Sequence, residues 1–166
     1  MLVLGIDPGT ARTGYGLVSE AGSGGLQLVA YGVIKTVADI PQAERLHKLH
    51  SELKALIDEH HPAEAAVERL FFQKNVSTAM SVGQARGVIL LALQQAGLPV
   101  GEYGPQDIKQ AVTGYGAADK VQMQRMVKTL LAMSEIPKPD DAADALAIAI
   151  CHCHSVKLKR KIREAQ

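Results

Sequence analysis

The chain opens on an apolar run, Leu2–Ile6, that ends at a carboxylate, Asp7, and resumes at Tyr15–Val18 beyond a glycine-rich turn. An unbroken apolar segment of this kind predicts a strand buried on both faces. Leu26–Lys35 alternates apolar and polar positions after the Gly22-Ser23-Gly24-Gly25 reversal, which predicts a third strand in an antiparallel meander. From Pro41 to His60 the spacing of Leu46, Leu49, Leu53, Leu56 and Ile57 predicts an amphipathic helix, with Pro41 in its first turn and Pro62 closing it. Ala63–Glu68 predicts a fourth strand, Asn75–Gln95 a second long helix with a Gly83-x-x-x-Gly87 small-residue stripe, and Leu98–Tyr103 a fifth strand. Pro105–Val112 predicts a short helix stopped by Gly114-Tyr115-Gly116. Asp119 then caps a helix with Val121, Met126, Val127, Leu130 and Leu131 on its buried side and Lys120 on its polar side. A last helix follows Pro137 and Pro139 and carries Asp140, Asp141 and Asp144 at its start. The order predicts an α/β fold: a five-stranded mixed sheet, three antiparallel strands then two parallel, with helices on both faces.

Composition narrows the class. At 166 residues the chain makes one domain, long enough to bury roughly 70% of its unfolded surface. Cys151 and Cys153 stand one residue apart, which is not the spaced framework of a disulfide-rich secreted scaffold. The start carries no basic segment before Asp7, and apolar runs such as Val88–Leu93 and Ala145–Cys151 fall far short of the ~20 residues that span a bilayer. These features predict a soluble, cytoplasmic protein without a membrane partner. Formal net charge is only +1, but it is uneven: the last ten residues hold Lys157, Lys159, Arg160, Lys161 and Arg163 against Glu164, leaving 13 basic and 16 acidic residues in positions 1–156. We therefore divide the chain into a slightly acidic body, 1–156, and a basic C-terminal tail, 157–166.

The acids of the body are placed suggestively. Asp7 and Glu68 each end a predicted strand and the aspartate group opens the last helix; element ends are where open α/β sheets build their sites. Asp141 and Asp144, three apart, share a helix face, and so do Asp140 and Asp144, four apart, so spacing leaves both pairs open. Each acid has an ordinary role as well: Asp-Pro-Gly forms turns, and acids in a first helical turn complement the helix dipole. Gathered together they would repel unless protonated or bridged by a cation. Magnesium suits an oxygen-only donor set, and two such ions about 4 Å apart activate water and stabilise a leaving oxygen at phosphorus. The chemistry this points to is phosphodiester hydrolysis.

Four segments, GIDPGTARTGYGLV, VERLFFQKN, GQARGVIL and DDAADALAIAICHCH, follow one another in the order and spacing of the bacterial Holliday-junction resolvases. Up to about His154 the chain resembles this RuvC family of crossover junction endodeoxyribonucleases. The resemblance implies a ribonuclease H-like fold and a homodimer that cuts opposed strands of a four-way DNA junction with Mg2+; the carboxylate chemistry adds the expectation of two ions per site, with Mn2+ as a substitute. It implies catalytic, metal-binding carboxylates at Asp7, Glu68, Asp141 and Asp144, the family pattern acid-x-x-Asp-Ala-Leu selecting Asp141 over Asp140. It implies DNA contacts by Phe71, which aligns with a base-contacting aromatic, and by Lys109 and Lys120; taken alone, the phenylalanines read as core residues and the lysines as solvated helix faces. Partnership with the RuvA–RuvB branch-migration complex is also implied.

Other readings are weaker. Cys151-His152-Cys153-His154 looks like a ligand run, but on a helix the two cysteines point about 200° apart and cannot share one tetrahedral ion. Gly9 and Gly14 have P-loop spacing, yet Tyr15 stands where the lysine is needed. A sugar-kinase or actin-like phosphotransferase would need a second lobe with its own Asp-x-Gly loop, and Asp-x-Gly occurs only at Asp7–Gly9. Another ribonuclease H-like nuclease, or a DNA-binding module without catalysis, completes the alternatives; clustered acids argue against the latter because they repel phosphate.

Overall fold

The computed structural model describes residues 1–22, 24–69 and 76–164. In chain order the elements are β1 (Leu2–Asp7), β2 (Arg12–Glu20), β3 (Leu26–Lys35), α1 (Gln42–His60), β4 (Glu64–Glu68), α2 (Val76–Gln95), β5 (Val100–Tyr103), α3 (Pro105–Thr113), α4 (Lys120–Leu130) and α5 (Asp140–Glu164). The strands form one sheet in the order β3-β2-β1-β4-β5. The first three pair antiparallel, and β4 runs parallel to both β1 and β5. This is the predicted sheet, with β1 at its centre.

Successive side chains of a strand point to opposite faces, so the apolar opening run feeds two cores at once. Leu4, Ile6, Leu17, Ala65 and Val67 face α1 and α2, where Leu53, Ile89 and Leu93 are fully buried. Val3, Val18 and Ala66 face α5, with Ile108 and Val112 of α3 and Met123 and Val127 of α4 closing that side. Each fully buried leucine or isoleucine contributes about 1.5–3 kcal/mol relative to exposure.

The hairpin between β1 and β2 differs from the sequence reading. β2 starts at Arg12 rather than Tyr15, so the turn shrinks to Pro8–Ala11 and Gly14 and Gly16 lie inside a strand. Neither has a positive φ. Their purpose is proximity: a Cβ on Gly14 would overlap the Asp141 carbonyl oxygen, one on Gly5 the Ala145 carbonyl oxygen, and one on Gly16 would meet Leu146 at 2.7 Å. Glycines of β1 and β2 and alanines of α5 thus form a seam along which helix and sheet touch by their backbones. The turn itself is held by Thr13, whose hydroxyl donates to the Gly9 carbonyl at 2.8 Å, and by Thr36, which donates to the Thr10 carbonyl.

Smaller corrections follow the same physics. Pro41 caps α1 instead of entering its first turn. Asp119 does cap α4, accepting from the Gln122 amide at 2.8 Å while the Gln122 side chain returns to the Asp119 amide at 2.9 Å. The buried stripe of α4 is Met123 and Val127, continued by Leu131, whereas Val121 is 51% exposed because it sits nearly opposite Met123 on the helix. α5 spans 25 residues, about 37 Å, and continues without a break through positions 157–164, where the sequence places the basic tail. Among the described residues no helix is long and apolar enough to cross a membrane.

Candidate active site

β1 ends on Asp7 and its parallel neighbour β4 ends on Glu68, so both carboxylates leave the sheet at the same edge. α5 begins over that edge. The Asp141 backbone rests on Gly14, which is the strand partner of Asp7, and the helix therefore brings its acids down onto the end of β1. Burial first, and then the charges of Asp144, Glu68 and Asp141, push the Asp7 carboxyl from 3.8 up to about 8. Burial and Asp144 raise Glu68; burial raises Asp144, opposed by the Lys120 ammonium. Asp7, Glu68 and Asp144, raised in this way, form one electrostatic unit, and the Asp141 charge acts on Asp7 and Asp144 within it.

Asp140 has a different surrounding. Its Oδ2 lies 2.9 Å from Lys120 Nζ and its Oδ1 accepts from Gln124 Nε2 at 3.0 Å. Hydrogen bonding to Lys120 holds its carboxyl below the usual range. Of the two candidates that spacing left open, Asp141 is the one whose charge acts on Asp7. The Lys120 ammonium also stands 3.7 Å from Asp144. Lys109 lines the same cleft, about 240 Å³ in volume, opposite Glu68 and Asp144, with Ile108, Met123 and Ile148 as its apolar wall. Phe71, and Phe72 beside it, lie outside the described residues.

Residues the sequence reading did not single out also reach this edge. Arg12 Nη1 is 4.0 Å from the Asp141 carboxylate. Arg45 of α1 donates to the Thr10 carbonyl at 2.9 Å and to the Thr36 hydroxyl at 3.1 Å, fastening the turn after Asp7. Arg86 of α2 donates to the Glu68 carbonyl at 3.3 Å and pairs with Glu102 of β5. Arg86 lies in the quoted GQARGVIL segment, but nothing in periodicity assigns an arginine to a main-chain oxygen 18 residues away.

The cysteine-histidine run is structural, as its helical spacing implies. Both thiols are buried, which pushes Cys151 up to about 11 and Cys153 up to about 12. His152, 4% exposed, shares hydrogen bonds with Glu64 Oε2 at 2.7 Å and with the Tyr103 hydroxyl at 3.0 Å, while His154 Nδ1 meets the Ala111 carbonyl at 2.9 Å.

Asp7, Glu68, Asp141 and Asp144 offer carboxylate oxygens only, the donor type of a hard divalent cation, and their mutual repulsion is what such a cation relieves. Among the described residues no three His, Cys, Asp or Glu side chains stand close enough to ring a single ion. Magnesium is commonly held by one or two carboxylates and its own waters, without a closed protein cage.

A mixed five-stranded sheet with acids converging from two strand ends and a helix start defines the ribonuclease H-like class, with a site built for metal-dependent attack on phosphodiesters. The family model for crossover junction endodeoxyribonuclease RuvC matches residues 3–152, and the chain belongs to that family. A relative from Roseiflexus sp. (strain RS-1) carrying that name is 58% identical over 163 residues, covering 98% of this chain and 96% of its own. The Thermus thermophilus RuvC structure superposes with a TM-score of 0.89 at 38% identity, covering 96% of this chain and 97% of that one. The T. thermophilus RuvC in complex with a Holliday junction substrate gives 0.91 at 38% identity and 96% coverage of both chains. The family is one of metal-dependent nucleases.

Proposed function

We propose that this protein resolves four-way DNA junctions by paired, symmetric phosphodiester hydrolysis during recombination and repair. The observation that carries the reading is the convergence of Asp7, Glu68, Asp141 and Asp144 at one sheet edge, in a chain of the RuvC family. These four side chains are the catalytic and metal-holding set, and Mg2+ is the fitting ion, two per site, with Mn2+ able to replace it. When bound, the ions supply an activated water and a counter-charge for the leaving oxygen. The protein's own part is to hold the carboxylates in place and to bring the phosphate to them. Lys109 and Lys120, lining the cleft beside Glu68 and Asp144, meet the approaching phosphates, and Phe71 contacts a base at the junction.

Residues 1–156 serve as the nuclease unit and the basic 157–166 stretch as an arm toward nucleic acid. The protein works as a homodimer in the cytoplasm, alongside a RuvA–RuvB branch-migration complex. Two-fold symmetry presents two equivalent sites to a pseudo-symmetric junction, so opposed cuts follow from geometry. The supporting observation is on α2: Met80 and Leu91 are 66% and 53% exposed, and a Cβ at Gly87, on the same helix face, would meet nothing within 4 Å among the described residues.

The test is cleavage of a labelled four-way junction beside a linear duplex of the same sequence, with magnesium, with EDTA, and with Asp144→Asn. Paired nicks confined to the junction and lost in both controls are the expected result. Equal cutting of the linear duplex would remove junction specificity from the reading, and binding without cleavage would remove catalysis.

A further inference from the structure

The exposed helix of the proposed dimer, α2, is tied to both strand ends that carry the catalytic acids. Ser81 Oγ lies 3.1 Å from Thr10 Oγ1, in the turn that follows Asp7. Five residues on, Arg86 Nε donates to the Glu68 carbonyl while Nη2 pairs with the Glu102 carboxylate. Neither contact touches a catalytic carboxylate; both grip backbone or turn next to one.

Glu68 needs such a grip. The ladder between β1 and β4 runs from Val3↔Glu64 to Ile6↔Val67 and stops one residue short of it. On the β5 side Glu68 pairs with Tyr103, and the following amide, Arg69, donates to the Tyr103 carbonyl at 2.8 Å. The last residue of β4 is thus laddered on one side only, while Asp144 and Asp7 repel its side chain. The Arg86 guanidinium bonds a carbonyl and a carboxylate at once through a rigid planar fork, whereas a lysine ammonium has donors enough for both but no fixed geometry to hold them apart. Its side chain is 21% exposed, enough burial for that fork to be held in place.

Resting on the nuclease reading above, we infer that Arg86 is a positioning residue: by bracing the Glu68 main chain against Glu102 it fixes the Glu68 carboxylate at the spacing the metal site requires, and through α2 it links that spacing to the dimer face. Displacement of a reacting group by about 1 Å costs up to about 100-fold in rate.

The experiment compares Arg86→Gln, Arg86→Lys and Glu102→Gln with the unmodified dimer and with Glu68→Gln. It reads single-turnover cleavage of a four-way junction, junction affinity in EDTA, and calorimetric Mn2+ binding to the DNA-free protein. Arg86→Gln is expected to lower the cleavage rate about 10-fold or more and to weaken Mn2+ binding several-fold, with junction affinity within twofold. Arg86→Lys recovers part of the rate, and Glu102→Gln, which leaves the arginine in place and guards against a folding failure of the first variant, moves rate and Mn2+ affinity the same way by less. A cleavage rate within twofold of the unmodified protein in Arg86→Gln, or equal losses of rate and junction affinity, overturns the inference. Failure of the underlying reading is distinct: Glu68→Gln would then cut like the unmodified protein.

Discussion

Replacing Asp7 by asparagine removes the most strongly perturbed carboxyl at the site without changing its shape. In the fold this group titrates at about 8, against 3.8 in its ordinary state. Between those limits the folded protein holds a proton at Asp7 that the unfolded chain has released. Proton uptake on folding means that the contribution of Asp7 to stability is highest below pH 4, falls as pH rises toward 8, and levels off above it. Each pH unit inside the window costs ~1.4 kcal/mol, so raising the pH from 5 to 7 removes about 2.7 kcal/mol through Asp7 alone. Asparagine cannot ionise, and Asp7→Asn therefore escapes this part of the decline. Urea unfolding followed by far-UV circular dichroism, in EDTA at both pH values, measures it directly. The loss in the unmodified protein should exceed the loss in Asp7→Asn by that amount, and millimolar magnesium at pH 7 should stabilise the unmodified protein more than the variant. Parallel stability profiles for the two proteins would refute the claim that Asp7 is buried among like charges.

The remaining expectations concern packing and recognition. Gly14→Ala forces α5 off its seam, because the new methyl group overlaps the Asp141 carbonyl; unfolding experiments should show a loss of about 1–3 kcal/mol, with cleavage falling further than stability explains. A Cβ at Gly87 meets nothing within 4 Å among the described residues, so Gly87→Leu should leave the far-ultraviolet spectrum unchanged while sedimentation shows a weaker dimer. Lys120→Met should lower the slope of log affinity for the junction against log salt by about one, since one phosphate contact is lost.

Much of this architecture is legible in the sequence because burial imposes period and length. Leu2–Ile6 reads as a central strand, and on that reading Asp7 and Glu68 fall at strand ends. Gly14 and Gly16 show where that logic fails. Local propensity reads them as turn residues, whereas the fold uses them as strand residues on which α5 lies, a role fixed by a helix more than a hundred residues later. Spacing alone leaves Asp140 and Asp141 open, because both spacings to Asp144 are helical; the family pattern points to Asp141, and in the fold the Asp141 backbone lies on Gly14 while Asp140 pairs with Lys120. Val121 was misassigned by counting apolar residues rather than their angles around the helix. Arg86 and Arg45 were invisible because they bond carbonyl oxygens, and every residue has one.

The glycine–alanine seam has a mechanical consequence. Ordinary helix–sheet contacts contain side chains that can rotate and absorb a disturbance, but here backbone meets backbone at Gly5 and Gly14 with no flexible layer between. α5 therefore behaves as a stiff rod whose axial position is set by its whole contact length. A slide of one residue would shift its acids by about 1.5 Å and turn them by about 100°, carrying Asp141 and Asp144 away from Asp7 together. Ala149, buried against Gly5 two turns from Asp141, is thus part of the gauge that spaces the carboxylates, and a bulkier residue there would be felt at the far end of the rod before it was felt as unfolding.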